Sequence, residues 1–126
     1  MEKRIYYHDT DAGGVVYYGN YLKYMEEART EFLEQKGLSI LEFRQRGLEY
    51  AVRRCSIVYR SPARYGDVLI CDASLKKITP AQLIFEQKIL HKESGRLIAE
   101  GEVSLACITT DFKPAQIPEE FKNLLV

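Results

Sequence analysis

From Asn20 to Glu34 apolar residues recur at helical spacing, and from Leu48 to Thr109 they recur at strand spacing, so the chain offers one long helix and otherwise mostly sheet. Tyr21, Met25, Ala28 and Phe32 fall on one stripe, while Lys23, Glu26, Glu27, Thr30 and Glu34 lie mostly elsewhere, and Gly37 supplies a left-handed stop. A lone helix of about five turns must bury that stripe against something. The only partner on offer is the sheet that follows.

The segments LEYAVRRCSIVYR, VLICDASLKKI, QLIFEQKILH and RLIAEGEVSLACIT are each long enough for an extended strand, and SPARYGD, TPAQ and KESG between them carry turn chemistry. In the second, Leu69, Cys71, Ala73 and Leu75 share one face; in the fourth, Leu97, Ala99, Gly101, Val103, Leu105 and Cys107 do. Before the helix, residues 3 to 8, KRIYYH, have strand content, SILEFRQRG after it suggests a short second helix, and IPEEFKNLL a closing one. Short turns between long strands impose antiparallel pairing. The expected class is therefore α+β: a curved antiparallel sheet of about five strands wrapped around one long helix, in a single domain over residues 1–126, with one sheet face left for a partner.

Composition narrows the function. Lys plus Arg and Asp plus Glu each number 18, so no global field draws the chain to nucleic acid or an acidic membrane. Cys55, Cys71 and Cys107 are far apart in apolar alternation, which predicts buried reduced thiols rather than disulfides or a zinc site. No apolar run is long enough for a transmembrane helix, and MEKR leads into a strand rather than a signal peptide, which points to the cytoplasm.

The loop between first strand and helix, DTDAGGVVYYGNY, is richer than a chain reversal requires. Two glycines permit a sharp turn, and Gly19 with Asn20 begins a helix whose first amides have no intrahelical partner and so attract developing negative charge. Were Asp11 to face that helix end, its carboxylate would attack an acyl carbon or orient water, while a backbone amide near Tyr18 received the carbonyl oxygen. Such apparatus suits an activated thioester, whose carbonyl is electrophilic and whose thiolate leaves readily, better than an ordinary ester or amide. The same residues also suit a purely local role: Asp9, Thr10 and Asp11 fit an Asx turn, and Asn20 a helix cap. His8 stands alone, the GG pair lacks the Lys and Ser/Thr of a phosphate loop, and Arg29 with Glu26 reads as an i,i+3 surface pair.

The run YYHDTDAGGVVYYGNYLKYMEEARTEFLE resembles the N-terminal signature of hotdog-fold acyl-CoA thioesterases of the 4-hydroxybenzoyl-CoA thioesterase branch, and most closely its Tol–Pal-associated members. RSPARYGDVL and KPAQIP are weaker matches further along. The resemblance implies a thioester hydrolase that yields a free acid and coenzyme A and needs no cofactor besides the coenzyme A of its substrate. It places the catalytic carboxylate on Asp11 and the carbonyl-polarising amide on Tyr18, where several members have His instead. Gly14, Val15, Tyr17 and Asn20 would then line the substrate. It also implies sites between the subunits of a homodimer, often paired again into a tetramer. Among basic candidates for the coenzyme A phosphates, none of them marked out by spacing, the choice falls on Arg60, Lys76 and Lys77. Two other readings are a non-catalytic module binding acyl-CoA or acyl carrier protein, and a dehydratase, for which the D-T-D run is wrong.

Overall fold

The helical stripe forms helix α1, Asn20–Gln35, and its end is set by Gly37 at φ 87°. There the Leu38 amide donates to the Leu33 carbonyl at 2.9 Å and the Gly37 amide to that of Glu34 at 2.9 Å, closing two carbonyls the helix leaves open. The buried face is Tyr21, Tyr24, Met25, Ala28, Arg29 and Leu33; Phe32, expected on the stripe, is only half-buried, its ring edge-on to Phe85. Helix α2, Ile40–Gln45, follows with Ser39 at its N-cap, and α3, Glu119–Leu125, closes the chain.

The computed structural model describes residues 1–126 and holds five strands: β1 Glu2–Arg4, β2 Leu48–Tyr59, β3 Val68–Ile78, β4 Gln82–His91 and β5 Leu97–Thr109. They make one antiparallel sheet in the order β1-β3-β4-β5-β2, the curved sheet around a helix that defines the hotdog fold. Register shifts between Val52 and Arg54 in β2 and between Leu75 and Lys77 in β3 supply the bulges that help a sheet curl.

Alternation along the strands delivers the core. Leu69 and Cys71 from β3, Leu83, Phe85 and Ile89 from β4, and Ala99, Val103 and Cys107 from β5 are all buried. The N-terminal half of α1 packs with Ile5, Val16 and Leu69, and its C-terminal end, through Leu33, with Phe43, Phe85 and Phe121. Each fully buried large side chain of this kind contributes about 1.5–3 kcal/mol.

Three expectations need correction. The first strand stops at Arg4 rather than reaching His8, because the Asp9 carboxylate accepts the Tyr6 amide at 2.8 Å and folds Tyr7–Asp9 into a 3-10 turn. Cys55 is exposed, not buried, because it lies on the edge strand β2, a stretch of which the chain leaves uncovered; Cys71 and Cys107 are buried as expected. Arg29 is buried and donates to Gln87 at 3.0 Å rather than forming a surface pair with Glu26.

Candidate active site

Residues 10 to 16 form a tight antiparallel loop. Thr10 bridges Val16, the Asp11 amide donates to the Val15 carbonyl at 2.9 Å, and the Gly14 amide returns to the Asp11 carbonyl at 3.0 Å. Gly14 sits at φ 79°, where a side chain would be strained. The loop is pinned to the sheet by the buried Val16, whose amide donates to Ala63 at 2.8 Å, and by the Val15–Arg64 bridge.

Asp11 is exposed at the loop's tip. Its Oδ1 accepts the Gly13 amide at 2.8 Å, the Asx turn that its neighbours suggested, and its other carboxylate oxygen has no partner. Asp11 lines none of the five principal cavities of the single chain.

Asp9 does the opposite work. It is 6% exposed, and its carboxylate accepts the Tyr6 amide and the Tyr24 hydroxyl, each at 2.8 Å. Its carbonyl accepts the Tyr17 amide at 3.0 Å and the Asn20 side-chain amide at 2.9 Å. Burial alone would raise its pKa, but the Tyr6 amide and Tyr24 hydroxyl on the carboxylate, with smaller help from His8 and Lys3, hold it below the ordinary carboxylate value. Asp9 therefore ties the loop to both ends of the segment leading into α1. Residue spacing gave no sign of this division of labour, since two acids in D-T-D look alike until Tyr24, fifteen positions on, is folded against one of them.

The helix start is as open as the loop is closed. Tyr17 donates to Asp9, Asn20 to Tyr17 and Leu22 to Gly19, but the amides of Tyr18 and Gly19 donate to nothing. Gly19 is the N-cap and offers no side chain, so the positive end of α1 is undressed there. A Cβ on Gly19 would lie 2.6 Å from the Tyr17 ring, so only glycine fits while Tyr17 keeps this position. Tyr18 is 62% exposed, and its carbonyl accepts the Tyr59 hydroxyl at 3.4 Å.

The remaining candidates divide. Gly14, Val15, Tyr17 and Asn20 are brought to one end of the sheet with Asp11 and Tyr18, although the Asn20 side chain is spent on Asp9. Arg60, just beyond the end of β2, lies 3.6 Å from Glu100. Lys76 is paired to Glu102 at 2.9 Å and Glu86 at 3.6 Å, and Lys77 is exposed beside it. Both lysines lie near the far end of β3, roughly 25 Å along the strand from its start beside the 62–67 turn at about 3.3 Å per residue, so one chain does not gather them with Asp11.

A family model described as the Thioesterase-like superfamily matches residues 6–125. Acyl-CoA thioester hydrolase YbgC of Escherichia coli is 36% identical over 125 residues, which cover 95% of this chain and 92% of that protein. Acyl-CoA thioesterase YbgC of Haemophilus influenzae is 34% identical over 94% of this chain and 88% of its own length. Among solved structures, a 1,4-dihydroxy-2-naphthoyl-CoA thioesterase from Synechocystis superposes with a TM-score of 0.90 at 26% identity, covering 99% of this chain and 93% of its own. With the family model spanning nearly the whole chain and these relatives covered along most of their length, this protein belongs to the thioesterase-like superfamily.

Proposed function

We propose that this protein hydrolyses the thioester bond of an acyl-CoA, releasing a free acid and coenzyme A. The observation that carries the reading is the pairing, on one loop, of an aspartate with a free carboxylate oxygen and a helix start whose Tyr18 and Gly19 amides have no partner. The acyl oxygen sits on the Tyr18 amide, which gains strength as negative charge develops on that oxygen. Asp11 either takes a proton from the attacking water or itself attacks the acyl carbon to form an anhydride that water then opens; in both cases the sulfur leaves as coenzyme A thiolate and is protonated from solvent. No metal or resident cofactor enters either route.

The site is completed by a second copy. β2 is a twelve-residue edge strand with one side unpaired, and Val52, Val58, Tyr59, Tyr18 and Leu22 around it are exposed. A homodimer, or a dimer of dimers, that pairs this edge would also enclose Asp11. Basic residues for the coenzyme A phosphates, Lys76 and Lys77 among them, then come from whichever chain brings them to the loop. No helix is long and apolar enough to cross a membrane, and the cytoplasm is the proposed location.

Asp11→Asn tests the mechanism: fold and subunit number persist, while thiol release from acyl-CoA falls about 10²–10⁴-fold. Undiminished release removes Asp11 from it. The engagement of Asp11 in its own turn favours one rival, a module that binds acyl-CoA or acyl carrier protein without cleaving it. Saturable binding with no thiol release across short, long and aromatic acyl groups would establish that rival.

A further inference from the structure

Arg29 is the only buried cation of the chain, 7% exposed on the inward face of α1. One guanidinium nitrogen donates to the Gln87 side chain at 3.0 Å, and Gln87 is fixed in turn by donating to the Met25 carbonyl at 2.9 Å. That partner is neutral. No carboxylate pairs with Arg29, in contrast to Asp9, the buried anion, whose carboxylate has two donors. The remaining guanidinium nitrogens make no hydrogen bond and are not sealed from solvent, since the only enclosed, unpartnered side-chain polar atom is the Tyr50 hydroxyl. A buried charge left this way is costly unless something anionic reaches it.

What reaches it has a space to come from. Arg29 lines a cavity of about 480 Å³ between the second half of α1, α2 and the first half of β2, within the roughly 300–1,000 Å³ typical of small-molecule sites. Its apolar wall includes Leu33, Phe43, Leu48 and Val52. The acids Glu26 and Glu34 also line it but are exposed, where water screens them, and Glu49 is paired with Arg44 at 3.3 Å. One buried fork-shaped cation against an apolar wall matches a monoanionic carboxylate carrying a hydrocarbon tail. A phosphate dianion would find one unpaired cation, Arg44 being held by Glu49, and besides it only the hydroxyls of Thr30 and Tyr50 as donors.

We propose that this cavity binds a free apolar carboxylic acid, with its carboxylate on Arg29 and its tail along the apolar wall. This is the class of product that thioester hydrolysis releases, so occupancy would restrain the enzyme as acid accumulates. The inference rests on the thioesterase reading only for the source of the acid. Binding itself needs no turnover, and the two ideas fail separately.

The test is calorimetric titration of the full-length Asp11→Asn protein with octanoate and with 1-octanol, its uncharged counterpart. Octanoate is expected to saturate at one site per chain and to bind at least ~10-fold more tightly than octanol. Arg29→Met should erase that preference. Ile40→Trp, at an exposed position on the rim away from the β2 edge and in a chain with no other tryptophan, should weaken both ligands and report on octanoate by fluorescence. Equal binding of the two ligands, no binding of either, or octanoate binding untouched by Ile40→Trp overturns the proposal. So does separation of Arg29→Met into single subunits with no octanoate binding by the parent protein, which would give Arg29 a carboxylate of a second copy instead. If the unmutated protein cleaves no acyl-CoA, the functional reading falls while the titration still decides this one.

Discussion

The hydroxyl of Tyr24, on the second turn of α1, donates to Oδ1 of Asp9 at 2.8 Å, and both residues are buried. This bond joins the loop before the helix to the helix itself. Tyr24→Phe keeps the ring in the core and leaves one carboxylate oxygen without its nearest donor, the type of change that costs about 1–3 kcal/mol. Chemical denaturation should show that loss. Activity should fall with it, because the same loop carries Asp11.

The sign of the acid response follows from Asp9. Its folded pKa lies below the unfolded value near 3.9, so its ionised form stabilises the native state above about pH 4, and that contribution is lost as pH falls through the folded value. Denaturation curves taken from pH 7 down to pH 3 should show a steep acid limb. Asp9→Asn should be less stable at pH 7 and flatter below pH 4; an unchanged acid limb would assign the effect to other carboxylates.

The role given to Tyr18 belongs to its backbone. Tyr18→Phe should retain turnover within a few-fold, since only the exposed side chain changes. Tyr18→Pro removes the amide hydrogen, which no internal bond uses, and should lower kcat about 10²–10³-fold with little loss of stability. Equal effects from the two substitutions would place the oxyanion elsewhere.

Gly101 lies in β5 where it pairs with Ile57 of β2, and a Cβ there would collide with the Ser56 carbonyl oxygen. Backbone, unlike a side-chain tip, cannot step aside cheaply. Gly101→Ala should destabilise the fold by about 1–3 kcal/mol and disturb the β2 edge, which sedimentation would register as a lower subunit number.

Much of this architecture was written in local pattern. The helical stripe, the Gly37 stop and the four long alternations each rest on interactions within a few residues, so α1 and β2 to β5 follow closely from residue order. The first strand did not, because its end depends on a carboxylate reaching back to an amide. At the site, the D-T-D run and the bare helix start were visible as chemistry and pointed to Asp11 and the Tyr18 amide, the same residues the family resemblance names, but nothing in the spacing showed that Asp9 would be the buried acid.

What only the folded chain decided is where charge is buried. Asp9 became the fastener because Tyr24 and Tyr6 converge on it, and Arg29 became a buried cation because α1 turns it toward Gln87 on β4 rather than toward Glu26 on its own helix. Helix and strand periods are set by neighbours in sequence, whereas desolvation and hydrogen bonding of an ionic group are set by distant segments that packing brings together. That physical difference is why the sequence alone determined the elements and the loop's chemistry, and the tertiary structure alone determined which charged side chains leave water.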